Sequence, residues 1–141
     1  MEVKFEGGCL CGAVRYRSTA EPMMGGHCYC VDCRRSSGSS RCSHLVVSKA
    51  AVAVEGEVTL YERPADSGNV VSRAFCPTCG APVYSLNTGM PEAVFIRASS
   101  LDDLEVFKPG MAVYGSRAPS WENLDPVLPT FATMPEGGLP A

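Results

Sequence analysis

The sequence predicts a mainly β fold of short antiparallel strands, with few or no long helices. Short stretches of β-branched or alternating apolar residues are separated by Gly, Pro, Asp and Ser. No stretch of the length of a typical helix carries a continuous stripe of apolar side chains. The 14 glycines and 11 prolines indicate many turns. Turns between short strands favour twisted antiparallel sheets over βαβ units.

The predicted elements follow one another along the chain. One helical turn is expected after Cys33, in the stretch RRSSG, where Gly38 would end it. The five prolines of residues 118–141 predict an extended segment that wraps along the surface. Its apolar side chains are expected to be buried; they are Trp121, Leu124, Val127, Leu128 and Phe131. The predicted strands cover residues 13–16, 43–47, 58–63, 70–75, 82–86 and 93–97.

Length and composition limit the class of protein. The 141 residues fit one domain over 1–141, and no apolar run suits a signal peptide or a membrane span. We therefore expect a cytoplasmic protein without a membrane partner. In that reducing compartment eight cysteines favour metal ligands or catalytic groups over disulfides. A net charge of −3, with no run of Lys or Arg, argues against a nucleic-acid partner.

Two cysteine pairs share one local pattern, in which a close pair is followed directly by a glycine. These pairs are C-L-C-G and C-P-T-C-G. A tight turn of this kind aims two thiolates at one ion about 2.3 Å from each, and two pairs distant in sequence complete a tetrahedral site. Such a site stabilises a fold by joining separate segments. The predicted structural zinc ligands are Cys9, Cys11, Cys76 and Cys79.

A third cluster, HCYCVDC, has three cysteines and no fourth cysteine beside it. Three protein ligands and one exchangeable position are the pattern of a catalytic zinc, for which we predict Cys28, Cys30 and Cys33. Arg34 and Arg35 follow directly, and their charges would favour an anionic fourth ligand.

Residues of the chain itself are alternative fourth ligands. If RCSHLVV is extended, Cys42 and His44 are two residues apart and share one face, and His27 precedes Cys28. Either strand residue would close the site and make it structural. A separate alternative is a redox role for the pair in C-P-T-C, since C-P-x-C also occurs in thiol oxidoreductases. The following GAPVYSL predicts a turn and a strand rather than the helix that such enzymes require.

Three segments, GGCLCGAVRY, HCYCVDCRRSSG and FCPTCGAPVY, together resemble the glutathione-dependent formaldehyde-activating enzyme family, which is also known by the vertebrate centromere protein V. Weaker similarity continues through SLDD at 100–103, PSW at 119–121 and LPTF at 128–131. The chain departs from the family at Tyr29, where a histidine is more usual. A phenol, whose pKa is ordinarily about 10, cannot replace an imidazole as a base at neutral pH.

The resemblance implies a zinc-stapled Mss4-like fold and an activity. It implies two Zn²⁺ ions per chain, a structural ion and a catalytic one, on the two cysteine sets already named. The implied activity is that of a carbon–sulfur lyase, which forms S-hydroxymethylglutathione from formaldehyde and glutathione or reverses that reaction. Its partners would be a small thiol and a small aldehyde. The catalytic residues would be Cys28, Cys30, Cys33 and Arg34.

A hypothesis of a different class stays open beside the enzyme. In it the chain is a non-catalytic zinc scaffold or protein-interaction module. Such a protein would have two closed sites, the second completed by Cys42 or His44.

Overall fold

The computed structural model describes residues 2–135 and shows, within them, ten short strands and one α-helix, α1 (Val31–Ser37). Single 3₁₀ turns cover Lys49–Ala51, Ala98–Ser100, Leu104–Val106 and Gly115–Arg117. The strands are β1 (Phe5–Gly8), β2 (Arg15–Ser18), β3 (Met24–Cys28), β4 (Cys42–Ser48), β5 (Val52–Glu55), β6 (Thr59–Pro64), β7 (Val70–Phe75), β8 (Pro82–Asn87), β9 (Ala93–Arg97) and β10 (Met111–Val113).

The strands form a small sheet and a large one. The three-stranded sheet has the order β1-β2-β5, and the seven-stranded sheet has the order β10-β3-β4-β9-β8-β7-β6. Strand pairs are antiparallel except for β10, which pairs parallel with β3. The mainly β prediction is confirmed, and so is the prediction that long helices are few or absent. Within residues 2–135, no helix has the length and apolar character needed to cross a membrane.

Each of the six predicted strands is present, and those at 70–75 and 93–97 have the predicted bounds. The first was placed wrongly, because β2 starts at Arg15 rather than at residue 13. Residues 9–14 instead form a turn that carries the first cysteine pair. The prediction omitted β1, β3, β5 and β10, which have only three to five residues each.

Two glycines explain why β3 can lie where it does. A Cβ atom on Gly25 would stand 2.9 Å from the ring of Phe107, and one on Gly26 would stand 2.8 Å from the carbonyl oxygen of Met111. Both distances are too short for a side chain. The glycines therefore let β10 and the segment before it approach β3 closely, which brings Val113 opposite Cys28.

A common hydrophobic core joins the two sheets. Tyr16 of the small sheet packs in one cluster with Leu45 and Ile96 of the large sheet, and each is at most 3% exposed. The Tyr16 hydroxyl lies 2.7 Å from the hydroxyl of Ser100, so its polar end is satisfied inside the core. The core thus fixes the small sheet, and with it the β1–β2 turn that carries Cys9 and Cys11, against the large sheet.

The segment after residue 117 runs beside β10. The Ala112 N–H donates to the Pro129 carbonyl, and the Phe131 N–H donates to the Ala112 carbonyl, both over 2.9 Å. The predicted burial of its apolar residues is wrong for three of the five. Trp121, Val127 and Leu124 are 73%, 84% and 39% exposed, whereas Leu128 and Phe131 are half-buried.

The physical reason is that backbone hydrogen bonds, rather than side-chain packing, hold much of this segment to β10. Only one side of such a segment can face the protein. Phe131 faces inward and packs on the cluster of Cys28, Cys33, Cys42 and Val113. The predicted wrap extended to residue 141, and its last part, residues 136–141, lies outside the described residues.

Candidate metal centres and active site

The two distant cysteine pairs meet at one point of the structure. The Sγ atoms of the four residues lie within 4.8 Å of one another. Cys9 Sγ is 3.7 Å from Cys11 Sγ, and Cys11 Sγ is 3.7 Å from Cys76 Sγ. Four thiolates placed tetrahedrally about 2.3 Å from a zinc ion are about 3.8 Å apart, so these spacings fit a zinc site and exceed a disulfide bond. The set is Cys9, Cys11, Cys76 and Cys79.

Each pair is shaped by the turn that contains it. Gly12 and Gly80 have φ values of 82° and 77°, the left-handed conformation that favours glycine. The Gly80 N–H donates to the Cys76 carbonyl over 2.8 Å and closes the turn. The residue following Cys79 thus returns the chain into β8 rather than into a helix. This geometry lacks the helix that the redox alternative requires.

Backbone N–H groups and mutual repulsion both act on these thiols. The Ala81 and Cys11 N–H groups lower the pKa of Cys79 to about 6. The Ala13 N–H acts in the same direction on Cys11, yet burial and the neighbouring sulfurs raise the pKa of Cys11 to about 11. Thiolates crowded in this way repel one another, and a bound divalent cation removes that repulsion. The donor set therefore fits a metal ion.

The second centre lies where β3 passes into α1. Cys28 ends β3, Cys30 is the N-cap of α1, and Cys33 lies in the first turn of that helix. Their Sγ atoms lie within 4.8 Å of one another. The Cys33 N–H donates to Cys30 Sγ over 3.3 Å. Gly38, with φ of 74°, ends the helix as predicted, but α1 begins at Val31 and includes Cys33, whereas the turn was expected after it. Seven residues of helix are enough to hold the third sulfur in place.

The three sulfurs of the second centre compete for protons. Hydrogen bonds from Cys28 and Cys30 lower the pKa of Cys33 well below its ordinary value. Hydrogen bonding to Cys30 and Cys33, with burial, raises the pKa of Cys28. One thiolate is thus favoured at the expense of its neighbours. A divalent cation would allow the three to be deprotonated together.

The two candidate fourth ligands approach this centre from β4. His44 Nε2 lies 3.8 Å from Cys33 Sγ, and His44 Nδ1 lies 3.9 Å from Cys42 Sγ. Cys42 also packs in the same cluster as Cys28 and Cys33. Within residues 2–135, however, neither Cys42 nor His44 belongs to the set of donors that lie within 4.8 Å of one another. Both residues border the centre on the side of Cys33.

His27 and Tyr29, which flank Cys28, face other partners. His27 Nδ1 lies 2.8 Å from Ser43 Oγ, and its ring packs edge-on against Phe107. Burial, with the charge of Arg41, lowers the pKa of His27 to about 4, so this imidazole is neutral at physiological pH. Tyr29 is 1% exposed, and its hydroxyl accepts a hydrogen bond from Arg41 over 3.1 Å. Neither ring lies among the thiolates.

The arginines near this centre differ in environment. Arg34 and Arg35 have exposed side chains on α1. Arg97, at the end of β9, pairs in register with His44 and is 3% exposed. Its Nη2 donates to Ser36 Oγ in α1 over 3.0 Å. Arg97 and Arg41 are not among the residues predicted from the sequence, and only strand pairing brings Arg97 to the cysteine cluster. The available signal was the arginine that ends the otherwise apolar strand sequence AVFIR.

The sequence and the fold are both similar to those of known proteins. Residues 4–117 match the sequence profile described as "Glutathione-dependent formaldehyde-activating enzyme". A protein of Halomonas elongata named "Putative glutathione-dependent formaldehyde-activating enzyme" is 30% identical over 102 residues, which is 69% of this chain and 65% of that protein. An "Uncharacterized lyase" of Schizosaccharomyces pombe is 28% identical over 95 residues, 67% of this chain and 66% of that protein. The chain thus spans just under two thirds of the length of these relatives.

A crystal structure of a Rhodobacter sphaeroides protein has the same fold, with a TM-score of 0.57 and 19% sequence identity. The superposition covers 89% of this chain and 98% of that one. The profile match includes all three cysteine clusters and ends before the PSW and LPTF segments. The chain belongs to the glutathione-dependent formaldehyde-activating enzyme family.

Proposed function

We propose that the protein is a zinc-dependent carbon–sulfur lyase-like enzyme that forms or cleaves the adduct of a small thiol and a small aldehyde. Glutathione and formaldehyde are the first pair to test, because the family profile and the Halomonas elongata relative carry those words in their names. One observation supports the proposal most directly. Three cysteine sulfurs are gathered within 4.8 Å, and the nearest further donors, Cys42 and His44, stay outside that set in residues 2–135.

Two zinc ions per chain fit the two donor sets. In this proposal the four-thiolate centre is structural, and Cys28, Cys30 and Cys33 hold the catalytic ion. A zinc ion with an exchangeable position lowers the pKa of a thiol or polarises a carbonyl oxygen. We place the enzyme in the cytoplasm as one domain over 1–141, where reduced thiols are available.

The reaction needs one proton to move. In the synthetic direction the thiol sulfur forms a bond to the aldehyde carbon, the sulfur gives up its proton, and the aldehyde oxygen gains one. His44 is the imidazole next to the centre, 3.8 Å from Cys33 Sγ, and its ring is held edge-on to Phe95. We assign to His44 the role of holding that proton. Arg34, one residue after Cys33, contributes positive charge on the exposed side of the centre.

The proposal is tested by metal counting and a cobalt spectrum. Elemental analysis should give two zinc ions per chain in the wild type and one in Cys30→Ser. Glutathione added to cobalt-substituted protein should change the thiolate-to-metal absorption bands. The protein should also accelerate adduct formation, followed by ¹³C NMR of labelled formaldehyde with glutathione. Two metals with an unresponsive spectrum and no rate acceleration would reject the enzyme.

The scaffold alternative rests on one observation, the placement of Cys42 and His44 beside Cys33. A change of side-chain conformation would let either of them close the site. The variants Cys42→Ser and His44→Ala distinguish the two functions. In a closed site, one of them lowers the zinc content to one ion per chain. In the open site, both keep two ions, and His44→Ala slows adduct formation.

A further inference from the structure

A cavity of about 400 Å³ opens beside the three-cysteine centre, at the end of the strands β4 and β9. Its wall contains two arginines and several serines on one side and the ring of Phe107 on another. No Asp or Glu lines it among the described residues. The cavity therefore combines positive charge with an apolar part of its wall. Its polar lining residues include Arg41, Arg97, Ser37 and Ser43.

Arg97 lacks the partner that a buried guanidinium normally has. It is 3% exposed, and its only side-chain hydrogen bond in residues 2–135 goes to Ser36. Its Nε atom is buried without a hydrogen-bond partner. No carboxylate of the described residues lies within 4 Å of Arg97 or of Arg41. The charge of Arg97 acts on the neighbouring Cys42 thiol, but no carboxylate of the described residues pairs with it. Burying such a charge is costly, so an anion from outside would be a favourable partner.

Arg41 adds a second charge, and Glu122 does not neutralise it by direct pairing. Arg41 Nη1 donates to the Tyr29 hydroxyl over 3.1 Å, which fixes the guanidinium. Glu122 accepts a hydrogen bond from the hydroxyl of Ser40, and its carboxyl is not within 4 Å of a guanidinium of the described residues. The hydrogen bond from Ser40 and the charge of Arg41 lower the pKa of Glu122.

The cavity adjoins the metal centre through shared residues. Cys42 lines the cavity and also packs with Cys28 and Cys33 in one cluster. Ser37, in the wall, lies one helical turn after Cys33, and His27, also in the wall, precedes Cys28. A molecule in the cavity would therefore lie next to the thiolates.

We propose that this cavity binds a carboxylate of the thiol substrate, with Arg97 as its principal ligand and Arg41 as a second. The inference rests on the proposed function and adds a substrate class to it, namely thiols that carry a carboxylate apart from their sulfur. A guanidinium is well suited to this role, because its planar donors match the two oxygens of a carboxylate. Neutral thiols of similar size are correspondingly poor substrates.

S-methylglutathione is the probe, since it keeps both carboxylates and has no free thiol to bind zinc. Isothermal titration of the zinc-loaded wild type should show binding, and the dimethyl ester of the same compound should bind at least about 10-fold more weakly. Arg97→Met should weaken binding of S-methylglutathione by about 10- to 100-fold. Absence of binding to the wild type, or equal binding of the diester, overturns the inference.

Two control variants distinguish loss of the Arg97 charge from loss of a structural contact. Ser36→Ala removes the hydrogen bond between α1 and Arg97 but keeps the guanidinium, so binding should stay within about threefold. Arg17→Met removes an exposed arginine that pairs with Glu55 on the small sheet, and binding should not change. Equal losses in Ser36→Ala and Arg97→Met would mean that Arg97 only holds the helix, which also overturns the inference. If Arg97→Met fails to fold, Arg41→Met replaces it, and unaltered binding by that variant rejects the site.

Failure of this inference differs from failure of the proposed function. If carboxylate binding depends on Arg97 but there is no adduct formation and no cobalt response, the carboxylate site is supported and the proposed lyase activity is rejected. If adducts form with equal kcat/KM for 3-mercaptopropionate and 2-mercaptoethanol, the lyase activity is supported and the carboxylate site is rejected.

Discussion

Cys79→Ser and Cys30→Ser form a matched pair, because both residues are half-buried and are proposed ligands of different centres. We expect Cys79→Ser to be the more destabilising. The four-thiolate centre bridges Cys11 and Cys76, which are 65 residues apart. If the metal centre is treated as a cross-link, closing a loop of this length stabilises the folded state by about 4 kcal/mol. The centre at Cys28–Cys33 closes a loop of roughly five residues, for which the same relation gives about 2 kcal/mol.

Loss of the first ion therefore removes a large share of the roughly 5–15 kcal/mol that stabilises a typical domain. The assay is urea unfolding at a fixed free zinc concentration, followed by far-UV circular dichroism, with the zinc content of each variant measured separately. Cys30→Ser should keep one zinc ion and the native spectrum, with a midpoint above that of Cys79→Ser. Equal loss of stability in the two variants would refute the division into a structural and a catalytic centre.

Three further variants test individual contacts. Tyr16→Phe removes the buried hydroxyl next to Ser100 and should cost about 1–2 kcal/mol in the free energy of unfolding, whereas Tyr61→Phe, with a side chain 56% exposed, should cost nothing measurable. Gly80→Ala places a side chain at φ of 77° and should cost about 1 kcal/mol and speed zinc release to a chelator. Gly68→Ala, equally left-handed but in the turn between β6 and β7, should leave zinc release unchanged. Phe131→Ala removes packing from the three-cysteine cluster and should accelerate loss of the second zinc; an equal effect of Val127→Ala, which is 84% exposed, would contradict this.

The two cysteine clusters proposed as metal centres were largely predictable, because the sequence patterns that define them are local. Two thiolates within three or four residues, followed by a glycine, already define most of a half-site, and Gly12 and Gly80 have the conformation that the pattern predicts. The strand at 70–75 was predictable for the same reason, since its β-branched residues carry their own preference.

The features that the sequence did not predict depend on contacts between distant segments of the chain. The sequence MGGHC has no preference for a strand, and β3 forms because Gly25 and Gly26 accept Phe107 and Met111. Likewise, the sequence offers no sign that residue 97 will lie opposite residue 44, so the buried guanidinium in the cavity wall emerges only from the folded sheet. The exposure of Trp121 could not be predicted either, because composition predicts burial but not which side of a segment faces the protein.

The parallel pairing of β10 with β3 has a consequence for synthesis of the chain on the ribosome. All four cysteines of the proposed first centre have been translated by residue 79, so the proposed ion would have its full donor set while the later part of the protein is still being made. Cys28, Cys30 and Cys33 are translated earlier than Cys79, yet their packing partners Val113 and Phe131 emerge much later. The nascent chain therefore presents these three thiols to solvent without their cover, and that interval is when they are most open to oxidation or to a competing metal.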